Sequence, residues 1–277
     1  MGLMIPTLEQ IDELHHKIAP SEAAYRLVHT HCVIVSRIAR ALAHRQNALF
    51  MRRCTLPDGA PELDRNADSA GASLLTLTPA ADAADTRTAA TDDAATAIPQ
   101  LDFAVPPSDD ITGGRVPPRL IDERLVTIGG LLHDIGTYRV FKHDGNDDEP
   151  LKFNGKQYIK HGLLGYEYLL ENGVDESIAQ FARNHTGVGL TREDVERQGL
   201  PLPPADYVPV NLEQETVMVA DKYNSKSLPP KFVSAEAYTR RAAKFGEENR
   251  RRWLELLDQY GVFDVRPMAA EYHMIVI

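Results

Sequence analysis

A histidine and an aspartate stand side by side at the end of an apolar, helix-forming segment. They are His133 and Asp134, and Gly136 follows at a position that can end the helix. A carboxylate buried beside an imidazole is costly unless something compensates its charge. A divalent metal ion is the usual compensation, because imidazole and carboxylate are both metal ligands. The pair suggests a metal site, but lone His-Asp pairs are often accidental, so the hypothesis needs further ligands.

Four further residues of ligand type occur in other helical segments: His31, His161, His185 and Asp221. His31 follows two aliphatic residues by three and four positions, which places it on the apolar face of its helix. Asp221 interrupts an apolar helical stretch, where a buried acid is almost always paired or bound to metal. Together with the His-Asp pair, this makes six candidate ligands on five predicted helices.

The ordered set resembles the HD superfamily of metal-dependent phosphohydrolases. The run from His133 to Gly136 matches the family's His-Asp-Ile-Gly signature, the segment that begins at His31 matches its first-helix pattern, and Ala-Asp-Lys around Asp221 matches its last ligand. The resemblance covers about residues 21–50 and 118–226. The additional histidines are similar to those of the two-metal branch, which includes diadenosine tetraphosphate hydrolases and cyclic dinucleotide phosphodiesterases. The latter carry Gly-Tyr-Pro where this chain has Gly-Thr-Tyr, which counts against cyclic dinucleotide hydrolysis.

The resemblance implies a ligand set of six residues for two ions. One ion would be held by His31, His133, Asp134 and Asp221, the other by His161 and His185, with Asp134 bridging both and Asp134 and His133 catalytic. Two such cations can activate a water and stabilise both the attacking and the leaving oxygen of a phosphoryl transfer. The resemblance favours iron or manganese, and imidazole ligands also suit zinc, cobalt and nickel.

The expected activity is hydrolysis of a phosphoester or phosphoanhydride in a small, nucleotide-like substrate. Four cations adjacent in sequence to the ligands are candidates for phosphate contacts: Lys222, Arg183, Lys226 and Lys160. Two alternatives stay open: a catalytically idle HD domain that binds a nucleotide and signals to a partner, and a di-iron oxygenase of the same fold.

Other titratable residues are interpreted as solvated groups. His15, His16, His44 and His273 are predicted to lie at the surface, and His143 in a solvated turn. The basic residues of the last long helical segment, among them Arg240, Arg241 and Lys244, are interpreted as a solvated face because glutamates are interleaved with them.

Apolar residues at helical spacing predict six helices and hence an all-α, HD-type helical bundle. The first of these helices starts after Ser21. The other five cover about 118–133, 161–173, 175–184, 212–225 and 235–260. A hairpin is expected within 138–160, and a short strand over 273–277 is a further expectation. We interpret residues 1–277 as a single domain, with its core at about 21–55 and 118–226 and a helical extension over about 227–277.

A long insertion of low complexity separates the first two ligand helices. Residues 71–100 contain ten Ala, six Thr and four Asp but no aromatic residue, and such a composition buries too little apolar surface to offset the ordering entropy. We therefore predict that about 56–117 is disordered. Between residues 61 and 118, ten acidic and three basic residues give −7 of the chain's net charge of −10.

Composition excludes several classes of protein. A net charge of −10 argues against general nucleic-acid binding, which requires neutralisation of phosphates. The sequence has no run of 18 apolar residues, so no membrane span is predicted, and no secretory signal is recognised. The two cysteines cannot form a disulfide framework, so a cytoplasmic location is expected.

Overall fold

Helices make up most of the computed structural model, which describes residues 4–57 and 107–277. Ten α-helices occur within these two ranges: α1 (Leu8–Ile18), α2 (Glu22–Thr55), α3 (Glu123–Leu132), α4 (His161–Glu171), α5 (Glu176–Arg183), α6 (Arg192–Arg197), α7 (Leu212–Asp221), α8 (Ala235–Ala243), α9 (Glu247–Tyr260) and α10 (Arg266–Glu271). Two 3-10 helices cover Ile135–Val140 and Tyr158–Lys160. The predicted all-α class is confirmed.

Short strands join the helices in three antiparallel pairs. Their bounds are β1 (Ile111–Thr112), β2 (Phe141–His143), β3 (Lys152–Phe153), β4 (Asn224–Ser225), β5 (Lys231–Phe232) and β6 (Val262–Phe263). β1 pairs with β6, β2 with β3 and β4 with β5. The β2–β3 pair is the hairpin expected between 138 and 160. Val276 in the C-terminal tail forms one parallel bridge with Phe232 rather than a named strand.

Polar side chains set where the site-bearing helices begin. The Ser21 hydroxyl accepts a hydrogen bond from the backbone of Ala24 and caps α2, and Asn211 caps α7 in the same way through Gln214. Such caps satisfy N–H groups that have no partner within the helix. The first predicted helix therefore begins where Ser21 indicated, and it runs for 34 residues.

Several predicted boundaries differ from the structure. The predicted helix over 235–260 is two helices, because Gly246 has φ of +116° and turns the chain between them. The predicted helix over 212–225 ends at Asp221, since Asn224 and Ser225 pair with β5. Helices α1, α6 and α10 were not predicted; the last two are only six residues long each.

The centre of the molecule is the long helix α2, against which α3 and α7 pack. Gly130 of α3 makes this possible, because a Cβ at that position would lie 2.6 Å from Cα of Ser36 in α2. Ile38, Val217 and Trp253 belong to the larger buried apolar cluster, which joins α2, α7 and α9. A second cluster includes Leu132 and joins α2 to α3, α4 and α5. The ligand-bearing helices thus share one buried framework.

The predicted insertion reaches less far than expected. Residues 58–106 lie outside the described residues, and so does the apolar run 101–105. The prediction of disorder is wrong for the segment that follows: Ile111 is fully buried and pairs with Phe263, and Arg115 forms an ion pair with Asp258. Burial of Ile111 and the backbone pairing hold this segment on α9 and β6, although its Gly and Pro content resembled the insertion.

Within the described ranges, no helix combines the length and apolar character that crossing a bilayer would require.

Candidate metal centre

Six side chains from separate elements meet at one buried place. His31 lies in the first third of α2, His161 is the first residue of α4 and Asp221 the last of α7. His133 and Asp134 directly follow α3, and His185 comes two residues after α5. All are buried except Asp221, whose side chain is 15% exposed. The structure brings together every residue that the sequence proposed as a metal ligand.

The first group surrounds the Nε2 atom of His31. That nitrogen lies 3.0 Å from Asp134 Oδ2, 3.1 Å from Asp221 Oδ1 and 3.2 Å from His133 Nε2. These four side chains place one potential ligand atom each within 4.8 Å of all the others. The group therefore has the size of a single coordination shell.

The second group adjoins the first and shares Asp134 with it. The Nε2 atoms of His161 and His185 are 2.9 Å apart, and they lie 3.4 and 3.5 Å from Asp134 Oδ1. Oδ2 of the same carboxylate faces His31. Asp134 therefore offers one carboxylate oxygen to each of the two groups.

Hydrogen bonds on the far side of each ring fix the histidine tautomers. Nδ1 of His133 donates to Gly130 O at 2.7 Å, Nδ1 of His161 to Tyr158 O at 2.6 Å, and Nδ1 of His185 to Ala182 O at 2.7 Å. Nδ1 of His31 donates to Asn224 Oδ1 at 2.8 Å. A neutral imidazole has one N–H, so this hydrogen-bond network assigns the proton to Nδ1 and leaves the four Nε2 lone pairs facing the centre.

This donor chemistry fits divalent metal ions. Lone pairs that face each other at about 3 Å repel unless a cation lies between them, and metal-bound histidines usually donate their second nitrogen to a carbonyl or carboxylate, as here. Burial lowers the pKa of His161 to about 3 and that of His185 to about 4. Both rings are therefore neutral at pH 7, the form in which imidazole can bind a metal ion. Soft thiolates are absent from both groups, and imidazole with carboxylate suits transition metals.

Two lysines supply positive charge at the centre. The Lys226 ammonium contacts Asp134 Oδ2 and lies 3.2 Å from His31 Nε2, so a cation already sits among the ligands of the first group. Burial lowers the pKa of Lys226 to about 7. Lys222 donates to Asp221 Oδ2 at 2.7 Å and to His185 O at 3.0 Å. Burial alone would raise the pKa of Asp221, but Lys222 and the neighbouring histidines hold it well below its usual value.

Close backbone packing sets the position of Asp134 relative to His161. A Cβ on Gly136 would lie 2.0 Å from His161 O and 2.3 Å from Gly165 N, so only glycine permits the 3-10 helix to approach α4 this closely. The Thr137 hydroxyl donates to Asp134 Oδ1 at 2.9 Å. The Gly-Thr dipeptide after the His-Asp pair therefore holds the shared carboxylate in place.

A cavity of about 380 Å³ leads from the surface to the centre. It reaches His161, His185 and Asp221 at its inner end, and Lys222 and Lys226 line it beside them. The walls are largely apolar and aromatic: Tyr158, Ile159, Val188, Leu190, Leu200, Tyr238 and Phe245. A small molecule bound in this cavity would contact the two histidines of the second group and both lysines.

The structure separates the four predicted phosphate-binding cations. Lys222 and Lys226 line the cavity, whereas Arg183 and Lys160 do not. Arg183 donates to Asp206 O at 2.7 Å and lies 4.4 Å over the ring of Tyr207. Arg183 is therefore not among the residues that line the cavity, and its role as a substrate contact stays a prediction.

Of the residues that the sequence placed at the surface, His15 is buried instead, and Arg241 is exposed but also borders the cavity. His15 is fully buried: its Nε2–H donates to Leu131 O at 2.8 Å and its Nδ1 accepts from the Tyr138 hydroxyl at 3.0 Å. Arg241, assigned to a solvated basic face, lines the cavity. The apolar face of α1 would have indicated His15, since Ile11 and Leu14 precede it at helical spacing. No local signal distinguished Arg241 from the basic residues beside it.

Comparisons with known proteins identify one family and several partial relatives. The HD domain family matches residues 109–225, which include five of the six candidate ligands and leave out His31. An uncharacterized protein of Methanocaldococcus jannaschii is 41% identical over 101 residues, 36% of this chain and 49% of that protein. A tRNA (cytidine(56)-2'-O)-methyltransferase of Picrophilus torridus is 35% identical over 100 residues, 36% of this chain and 24% of that protein. The chain thus spans about half or less of these relatives.

Among solved structures, the HD domain of the Listeria monocytogenes phosphodiesterase PgpH aligns with 95% of this chain and 99% of its own length. The sequence identity is 14% and the TM-score 0.36. The HD domain family matches residues 109–225, and the histidines and aspartates of this region converge in the structure. This part of the chain is similar to an HD domain.

Proposed function

We propose that the protein is a metal-dependent phosphohydrolase that cleaves a phosphoester or phosphoanhydride bond of a small, nucleotide-like substrate. The observation that carries this proposal is the shared carboxylate: Asp134 offers one oxygen to each of two ligand groups at the end of a cavity. Iron or manganese is the proposed metal, with two ions per chain. When bound, two such ions supply activation of a water and stabilisation of the attacking and leaving oxygens.

The chain's own residues orient the substrate. The inner end of the cavity presents Lys222 and Lys226, whose side-chain nitrogens can donate hydrogen bonds to a phosphate group. Lys222 is held by Asp221 and by the backbone of His185, so its ammonium is positioned before a ligand arrives. Both lysines are buried, with 6% of Lys222 and 7% of Lys226 exposed. Charge interactions are stronger in a buried site than in water.

We also propose that residues 1–277 form one catalytic domain. His31 precedes the gap in the described chain and His133 follows it, yet their Nε2 atoms lie 3.2 Å apart. The last helices, α8 and α9, contribute residues to the same cavity. A site assembled from all parts of the described chain supports this single-domain interpretation.

Metal analysis and phosphate release test the proposed function. Protein purified without chelator is expected to contain about two transition-metal ions per chain and to release phosphate from members of a nucleotide panel. Asp134→Asn, which keeps the shape of the side chain, is expected to abolish release, whereas His44→Ala, at an exposed residue paired with Glu123, should be neutral. Metal without phosphate release would favour the idle domain, and oxygen consumption by an iron-loaded form would favour the oxygenase.

A further inference from the structure

One wall of the cavity lies beyond the residues that match the HD family. The match ends at residue 225, but five cavity residues come from α8, from α9 and from the turn between them: Tyr238, Arg241, Ala242, Phe245 and Asn249. The same cavity is also lined by apolar residues that include Val188, Leu190 and Leu200. Part of the cavity lining is therefore supplied by this α8–α9 hairpin of the C-terminal extension.

Phe245 is an unusual residue in this wall because its ring is left in water. It stands next to Gly246 at the turn, and 57% of it is exposed. Leaving a large apolar side chain exposed forgoes burial worth about 25 cal/mol per Å². In the described parts of the chain, no other aromatic ring packs against it, whereas Tyr238 packs on Trp253. Its ring is thus a free aromatic face at the cavity.

Arg241 lies in the last turn of α8, four residues before Phe245, and is also exposed. Across the two described ranges, no carboxylate forms an ion pair with its guanidinium. On the neighbouring helix, by contrast, Arg251 pairs with Glu248 and Glu255, and Arg252 pairs with Asp194. Among the described residues, the hairpin therefore presents to the cavity a cation without an ion-pair partner and an aromatic ring without a stacking partner.

We propose that the α8–α9 hairpin determines substrate specificity: Phe245 stacks on the base of a nucleoside phosphate, and Arg241 contacts its phosphate. This inference rests on the proposed function and specifies the substrate class of the same site. The cavity is cationic at its inner end and apolar at its walls, which matches a molecule with an anionic part and a flat apolar part. Aromatic rings bind bases of any sequence through their π faces, and guanidinium groups bind phosphates through paired N–H donors.

Binding of three probes tests the assignment without requiring turnover. The probes are AMP, ribose 5-phosphate, which lacks the base, and adenosine, which lacks the phosphate, each titrated calorimetrically into the purified protein. The unsubstituted protein is expected to bind AMP at least about tenfold more tightly than ribose 5-phosphate, a typical contribution of one stacked base. Phe245→Ala and Phe245→Leu should reduce this ratio to about two or less, while Phe245→Trp should keep it.

Arg241→Ala should weaken binding of AMP and of ribose 5-phosphate by a similar factor and leave adenosine binding unchanged. Arg240→Ala and Lys244→Ala are matched controls, because both residues are exposed neighbours that do not line the cavity. The inference is overturned if the unsubstituted protein does not distinguish AMP from ribose 5-phosphate, or if Phe245→Leu keeps the ratio. A protein that shows the expected ratios but releases no phosphate from any nucleotide would contradict the proposed function and leave this inference standing.

Discussion

The Nε2 atoms of His161 and His185 lie 2.9 Å apart, and each ring donates its Nδ1 proton to a carbonyl three residues earlier in the chain. Both rings therefore direct lone pairs at the same point, beside Oδ1 of Asp134. Neutral lone pairs in such proximity are unfavourable, so the fold holds these two residues in an arrangement that a cation would stabilise. We therefore expect both the stability and the turnover of the protein to depend on bound metal.

Replacement of His161 should empty the second group while sparing the first. His161→Ala removes one of its two imidazoles, and we expect bound metal to fall from about two ions to about one per chain. Turnover should fall by more than the 10–100-fold that changes around a ligand typically cause. Elemental analysis and phosphate release measure both effects. A His161→Ala protein with two ions and full turnover would contradict the two-metal assignment.

Gly136→Ala should disturb the site through packing. The added Cβ would meet His161 O at 2.0 Å and Gly165 N at 2.3 Å, both of them backbone atoms that cannot rotate away. Overpacking of this kind costs about 1–3 kcal/mol of unfolding free energy, which lowers the melting temperature by roughly 5 °C in a chain of this size. Gly155→Ala is the control, since nothing lies within 4 Å of its added Cβ. Equal melting temperatures for the two variants would show that the close approach is unimportant.

Protonation of His15 should destabilise the protein as the pH falls. Burial lowers the pKa of His15 from its ordinary value of 6.5 to about 4. The unfolded chain therefore takes up a proton below pH 6.5 while the folded chain does not until about pH 4, so this contribution is complete above pH 6.5 and is lost between pH 6.5 and 4. The loss is on the order of 2–3 kcal/mol.

Urea unfolding of the unsubstituted protein and of His15→Gln at pH 7 and pH 5 measures this contribution. Glutamine can still donate to Leu131 O but does not titrate, so the variant should lose less unfolding free energy between the two pH values. His16→Gln, at an exposed neighbour whose side chain is 56% exposed, should follow the unsubstituted protein. Parallel pH profiles for His15→Gln and the unsubstituted protein would disprove the contribution.

The long insertion should be removable only up to the point where β1 begins. Replacing residues 58–106 with a short Gly/Ser linker should change the unfolding free energy by about 1 kcal/mol or less, because loop-closure entropy varies slowly with length. Extending the replacement to residue 117 also removes Ile111, which is fully buried, and the ion pair between Arg115 and Asp258. Loss of one large buried side chain alone costs about 2–5 kcal/mol.

Thermal melting and turnover of the two shortened proteins compare these effects directly. The first is expected to match the full chain, and the second to melt several degrees lower. If the first shortened protein also lost stability or most of its turnover, the insertion would have a structural role that its composition does not indicate.

Local pattern was sufficient to locate the candidate ligands and the helices that carry them. His31 and Asp221 were identified because a polar residue on an apolar helical face needs a partner, and both are at the centre. Ser21 predicted the start of α2 because its cap is formed within three residues. The apolar face of a helix and its N-terminal cap depend on residues close together in the chain, so they can be predicted directly from the sequence.

What the sequence by itself determined is therefore the helical class, the six candidate ligands and, through the family resemblance, their division into two groups around Asp134. For side chains that no local sequence pattern distinguishes from their neighbours, only the tertiary structure decided which of them line the cavity. Arg241 lines the cavity while Arg240 beside it does not, and Arg183 turns to Tyr207 although it lies two residues from a ligand. The physical reason is that a side chain's direction follows from how its helix is rotated against distant partners, and that rotation is set by packing across the whole core.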